Sequence, residues 1–196
     1  MNFDGAEAEI CDRCGFDSRT WRRPDAQALF GTLGSWWRQT IAGIDEADLN
    51  RRPRPLVWSA LEYGLHSALV IPILRDAIGR IVASDGCHAP DPCPEVDTED
   101  NTRPLTLDAA VIVGDLEREG TALALLVAAT HDGWDHVGHS DDGRPWQAEA
   151  TLFHAAHDTT HHFMDVEQGL VAIGACPPGR FEGRAGPVAP VTDPTS

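Results

Sequence analysis

The chain has 196 residues, enough for one domain with a sizeable core and short of the length two full domains usually need. Acidic side chains outnumber basic ones 31 to 15, and a net charge of −16 would repel nucleic-acid phosphates and anionic lipid surfaces. There is no basic-then-apolar leader and no apolar run near the roughly 20 residues of a membrane span, so the expectation is a cytoplasmic protein that binds neither nucleic acid nor membrane.

Residues 1–23 read as an N-terminal arm carrying Cys11-Asp12-Arg13-Cys14. Five cysteines, an odd number without an export signal, argue against a disulfide framework. The two-residue spacing lets two thiolates meet one metal or form a redox pair, and Cys87, His88 and Cys93 are the sequence's candidates to complete a four-ligand zinc site. Ordinary thiols on a mobile arm remain the plainer expectation, as does chemical idleness for Cys176.

The first helix is expected from Asp25 to Ile44, where Leu29, Leu33, Trp36, Trp37, Ile41 and Ile44 recur near one stripe. A short turn at residues 45–49 leads into Arg51-Arg52-Pro53-Arg54-Pro55, which cannot continue a helix. Ser59-Ala60-Leu61-Glu62 is a capping box opening a second helix that runs to about Ser84, with a kink expected at Pro72. Residues 85–105 form a Pro/Asp/Cys-rich loop too long for a simple connection. A third helix spans about Leu107 to Thr130, a turn or hairpin covers Trp134 to Gly143, and a fourth helix runs from Pro145 to Ala172, ended by Gly174. The bundle thus occupies residues 24–174, and 175–196 form an irregular Pro/Gly-rich tail. Four helices of about 20 residues without strand periodicity give an all-α four-helix bundle.

Nine histidines is a high count, and four fall in His154-Ala155-Ala156-His157-Asp158-Thr159-Thr160-His161-His162. His154, His157, His161 and Asp165 share one helical stripe, while His162 is turned about 100° away and is expected to face elsewhere. His157 and His161, at i and i+4, can reach one ion from one helix face. His66 lies on a stripe with Glu62, Leu69, Val70 and Ile73 that is expected to face the bundle interior, so His66, His157 and His161 form the candidate metal triad. Three neutral imidazoles leave positions open for water or substrate. Glu62, Asp165 and His154 are the candidates to support the ligands from behind. His131, His136 and His139 read as solvated loop residues. On this reading one metal binds per chain, unaffected by changing Cys14.

The segment Trp58-Ser59-Ala60-Leu61-Glu62-Tyr63-Gly64-Leu65-His66, preceded by Arg52-Pro53-Arg54-Pro55, resembles the second helix of the DinB-like superfamily. Leu152-Phe153-His154-Ala155-Ala156-His157-Asp158-Thr159-Thr160-His161-His162-Phe163-Met164-Asp165-Val166 resembles the fourth, and Cys11-x2-Cys14-Gly15-Phe16-Asp17 is similar to the cysteine-bearing leader of some members. The resemblance implies an up-down-down-up bundle holding a divalent metal, zinc or nickel, on three residues that correspond by position to His66, His157 and His161. In the thiol-dependent maleylpyruvate isomerase branch the second ligand is usually Glu, where this chain has His157. The resemblance further implies a mycothiol-dependent S-transferase or isomerase acting on a small electrophilic substrate, with mycothiol as co-substrate. A metal-dependent hydrolase and a non-catalytic metal- or small-molecule-binding bundle stand beside it, since all three need the same open metal site. A homodimer is the only macromolecular assembly expected.

Overall fold

The computed structural model describes residues 8–89, 104–177 and 179–181. Four long helices make up the domain: α1 (Arg23–Ile41), α3 (Ala60–Ala83), α4 (Ala109–Ala129) and α5 (Ala148–Ala172), with a four-residue α2 (Glu46–Leu49) after α1. α1 packs against α4 and α5, and α3 packs against the same two helices, so α1 and α3 lie diagonally across the bundle. The fold is the up-down-down-up four-helix bundle. No described helix is long and apolar enough to cross a membrane.

Local chemistry sets the helix starts. In the capping box of α3, Ser59 Oγ accepts from the Glu62 amide (3.2 Å) and Glu62 Oε2 accepts from the Ser59 amide (2.8 Å). Asp108 caps α4 by accepting from the Ala110 and Val111 amides. Gly174, at φ +74°, follows α5 in the left-handed conformation. α3 runs unbroken through Pro72.

The core is built from Leu29, Phe30, Leu33 and Trp37 of α1, Leu61, Ile71, Leu74, Ile78 and Ile81 of α3, Leu116 and Leu123 of α4, and Leu152, Phe163 and Leu170 of α5. α1 and α4 approach closely at Gly120, where a Cβ would stand 2.6 Å from the Phe30 carbonyl oxygen.

Two features differ from the sequence reading. The turn or hairpin expected before α5 is a hairpin, β1 (Val137–His139) paired antiparallel with β2 (Pro145–Gln147); its second strand takes Pro145, so α5 begins at Ala148 instead of Pro145. Strands of three residues are too short to display a period. The buried face of α3 is also rotated from the expected stripe: Leu69 is 58% exposed and Ile73 36%, while Leu61, Ala68, Ile71 and Leu74 are buried. His66 consequently sits at the margin of the core, where α3 meets α5, and not within the apolar interior. Of the 85–105 loop, residues 90–103, including Cys93, lie outside the described residues, as does most of the tail.

Candidate metal centres on helix five

Helix α5 carries two overlapping i, i+4 pairs, His157/His161 and Asp158/His162, set about 100° apart around the axis. The second pair faces α3. His162 Nε2 lies 3.1 Å from Asp158 Oδ1, and His66 Nε2 lies 3.8 Å from Asp158 Oδ2. One donor atom from each of His66, Asp158 and His162 falls within 4.8 Å of the others. All three side chains are about one-fifth exposed, so the cluster opens to solvent.

Aromatic side chains border it. The Trp58 ring lies 5.1 Å from that of His66, and the Tyr63 ring lies 5.1 Å from that of His162. Burial, reinforced by the Asp165 charge, pushes the Tyr63 phenol up to about 12, so it is protonated at neutral pH. Burial opposes charge on His162, but Asp158 and then Asp165 outweigh it and raise the imidazole to about 9. The same imidazoles, His162 and then His66, overcome the burial of Asp158 and hold its carboxyl far below the usual range. The raised His162 imidazole thus sets a positive charge beside this carboxylate.

The first pair faces the N-terminal arm. Cys11 Sγ lies 3.4 Å from His161 Nδ1, and Cys11, Cys14, His157 and His161 form a second cluster within 4.8 Å. Cys11 and His157 are buried. Glu9 Oε1 binds His157 Nδ1 at 2.6 Å, and its carboxylate also reaches His154 Nδ1 (3.1 Å). His157 Nε2 is buried with no hydrogen-bond partner. Burial raises the Cys11 thiol, but the Cys14 amide, the His157 ring and the Arg13 amide outweigh it and bring the group down to about 6. Burial pushes Cys14 the other way, to about 11, with the neighbouring Cys11 adding to the rise.

The structure therefore divides the expected triad. His157 and His161 stand together, but with the arm cysteines, and His66 is joined by Asp158 and His162. The cause is the facing of α5: the stripe of 157 and 161 turns toward the arm, and the stripe of 158 and 162 turns toward α3. His162, expected to face elsewhere, is in the cluster. Asp158 is the residue sequence reasoning missed; the usual Glu at the second ligand position was the signal, since a carboxylate followed four residues later by His occurs at 158 and 162, one residue along from the pair chosen.

The supporting candidates are also redistributed. Asp165 serves both clusters, with Oδ2 3.6 Å from His161 Nε2 and 3.6 Å from His162 Nδ1. His154 shares Glu9 with His157. Glu62 does not support His66: its carboxylate is taken by Arg52 (2.6 and 2.7 Å) and by the Ser59 and Leu105 amides. Cys87 and His88 do not complete a site with Cys11 and Cys14; the Cys87 carbonyl accepts from the His139 amide of β1, and His88 binds Asp141.

No family model and no curated protein matches the chain. Among solved structures it is similar to YfiT from Bacillus subtilis, a probable metal-dependent hydrolase with an unusual four-helix bundle topology. The TM-score is 0.64 at 12% identity, over 78% of this chain and 87% of that one. It is also similar to the mycothiol-dependent maleylpyruvate isomerase, at TM-score 0.56 and 18% identity, covering 76% of this chain and 62% of the isomerase. A histidine-to-alanine mutant of the mycothiol-dependent maleylpyruvate isomerase matches at TM-score 0.56 and 17% identity, with the same coverage. The chain thus shares the four-helix bundle fold of these proteins.

Proposed function

We propose that this chain is a metal-dependent DinB-like enzyme whose open centre is held by His66, Asp158 and His162. The observation that carries this reading is the solvent-facing set of two imidazoles and one carboxylate where α3 meets α5. Two imidazoles and a carboxylate are a donor set that catalytic zinc uses, with the remaining position left for water or substrate. The donor chemistry fits a divalent ion, because the Asp158 carboxylate, held far below the usual range, stands 3.1 Å from His162 Nε2 and 3.8 Å from His66 Nε2 and favours positive charge between them. When bound, the metal supplies Lewis acidity that lowers the pKa of a thiol or water placed in its open position.

The protein's own groups do the rest. Asp158 and His66 fix the centre between two helices, so its geometry follows the packing of α3 on α5. Asp165, 3.6 Å from His162 Nδ1, biases that imidazole to present Nε2 toward Asp158. Trp58 and Tyr63 wall one side, and the protonated Tyr63 phenol is a hydrogen-bond donor for an incoming group.

The reaction we assign is thiol-dependent S-transfer or isomerisation of a small electrophile, with a thiol of the mycothiol class as co-substrate and zinc or nickel as the metal. The bundle it shares with a mycothiol-dependent isomerase supports this reading. Hydrolysis is the second reading, favoured by the higher TM-score and fuller coverage of the metal-dependent hydrolase. Turnover of a model electrophile by the metal-loaded protein, with and without added thiol, separates them. Consumption only with thiol supports transfer, consumption of an ester or amide without thiol supports hydrolysis, and neither leaves a binding protein.

A further inference from the structure

We propose that Cys11, Cys14, His157 and His161 form a second, closed zinc site that clamps the N-terminal arm onto α5. It is separate from the open centre: no ligand is shared, and the two differ in donor type, exposure and the parts of the chain they join.

The donor count and type come first. Two thiolates and two imidazoles are a full tetrahedral set for zinc, and a set of four protein ligands leaves no position for substrate. Zinc–sulfur bonds of about 2.3 Å and zinc–nitrogen bonds of about 2.0 Å put tetrahedral ligand atoms roughly 3.3–3.8 Å apart. Cys11 Sγ and His161 Nδ1 are 3.4 Å apart, and the four donors lie within 4.8 Å of one another, so closure needs only small side-chain adjustments.

The surroundings are arranged for a metal. Glu9 holds His157 Nδ1 at 2.6 Å, which fixes the ring with its Nε2 pointing away, and that Nε2 is buried without a partner. A carboxylate on the far nitrogen of a histidine is the usual support for a zinc ligand. Asp165 Oδ2 stands 3.6 Å from His161 Nε2. Arg13, which contacts His161 Nε2 at 3.2 Å and pairs with Asp165 Oδ1 at 2.9 Å, has a 63% exposed side chain, and its NH1 must give up His161 when Nδ1 takes the metal and Nε2 the proton.

The arm is shaped to present both thiols. Gly15 adopts φ +75°, its amide bonds to the Cys11 carbonyl (2.9 Å), and the Cys11 amide bonds to the Phe16 carbonyl (2.8 Å), which closes a tight loop around the cysteine pair. Phe16, buried, stacks on His157 at 4.9 Å and packs on Trp21 at 5.0 Å, shielding the site from solvent.

The test uses the full chain. Metal content of the purified protein, together with the spectrum of its cobalt-substituted form, is compared for wild type, Cys11→Ser, Cys14→Ser and His66→Ala. We expect two metals per chain in the wild type, in place of the one expected from sequence, and one in each variant. A thiolate-to-cobalt charge-transfer band should appear in the wild type and in His66→Ala and vanish in both cysteine variants. Trypsin should cut after Arg13 and Arg19 at least tenfold faster once metal is chelated. Absence of the charge-transfer band in the wild type, its persistence in Cys14→Ser, or a Cys11–Cys14 disulfide that forms in the presence of zinc would overturn the proposal. If a cysteine variant does not fold, the wild-type cobalt spectrum decides the matter alone. Loss of metal from His66→Ala is read separately, so failure of the open centre and failure of the arm site are distinguishable.

Discussion

Replacing Glu62 by Gln separates two roles for one residue. Sequence spacing sets Glu62 one turn from His66 as a support for a metal ligand, whereas the structure commits its carboxylate to the start of α3. Both oxygens are engaged, by Arg52 at 2.6 and 2.7 Å and by the Ser59 and Leu105 amides at 2.8 and 3.1 Å. The Arg52 and Glu62 side chains are only 9% and 4% exposed. Breaking a buried ion pair by neutralising one partner costs about 3–5 kcal/mol, because the other charge is left uncompensated. Gln keeps a carbonyl that can still accept one amide, which places the expected loss near the lower end, about 3 kcal/mol. For a chain of this size that is a fall in Tm of roughly 6–12 °C. Thermal and urea denaturation measure the loss, and elemental analysis measures the bound metal. The expected result is marked destabilisation with metal content retained. Unchanged stability with loss of metal would refute this reasoning and return Glu62 to the side of His66.

Three other outcomes follow from the packing and the charges. Acidification should weaken the wild type more than Glu62→Gln: pairing with Arg52 and the two amides overcomes burial and holds the Glu62 carboxyl below its ordinary value, so its contribution is present above the unfolded pKa near 4.5 and is lost as pH falls through the lower folded value. Urea midpoints from pH 6 to pH 3 should converge for the two proteins; parallel lines would contradict this. Gly120→Ala should cost about 1–3 kcal/mol, since the new methyl meets the Phe30 carbonyl at 2.6 Å and forces α1 from α4; a midpoint within error of wild type would show that the helices part freely. Glu9→Gln should weaken the arm's zinc about 10–100-fold by loosening His157 and leave the metal on His66 unchanged; equal effects on both would contradict the separation of the centres.

The fold was legible because its signals are local and repeated. The Ser59/Glu62 capping box opens α3 where expected, and Leu29, Leu33 and Trp37 of the α1 stripe are buried in the core. The diagonal arrangement of α1 and α3 came from resemblance, since periodicity says nothing of which helices touch. The hairpin was one of two readings of its segment, but three-residue strands show no period, and Pro145 of β2 was assigned to a helix that starts at Ala148. The site was half legible. His66, His157 and His161 all lie in clusters with the spacing to hold a metal, but one helix with two interleaved i, i+4 pairs offers two faces. Two histidines outweighed an aspartate and a histidine, and only the packing of α5 on α3 decides between them. The spacing of Cys11 and Cys14 admitted a metal, a redox pair or ordinary thiols, with ordinary thiols the plainer reading, because the histidines they meet stand about 150 residues away on α5, a distance no local spacing can bridge.

Assignment of the open centre to His66, Asp158 and His162 is tested by the metal content of the single variants His66→Ala, Asp158→Ala, His162→Ala and His157→Ala, each also loaded with cobalt. The first three should lose one metal and keep the thiolate-to-cobalt band, while His157→Ala should lose the band and keep the metal at His66. Full metal content in His162→Ala, together with a shared loss in His66→Ala and His157→Ala, would contradict it and restore a single centre of His66, His157 and His161.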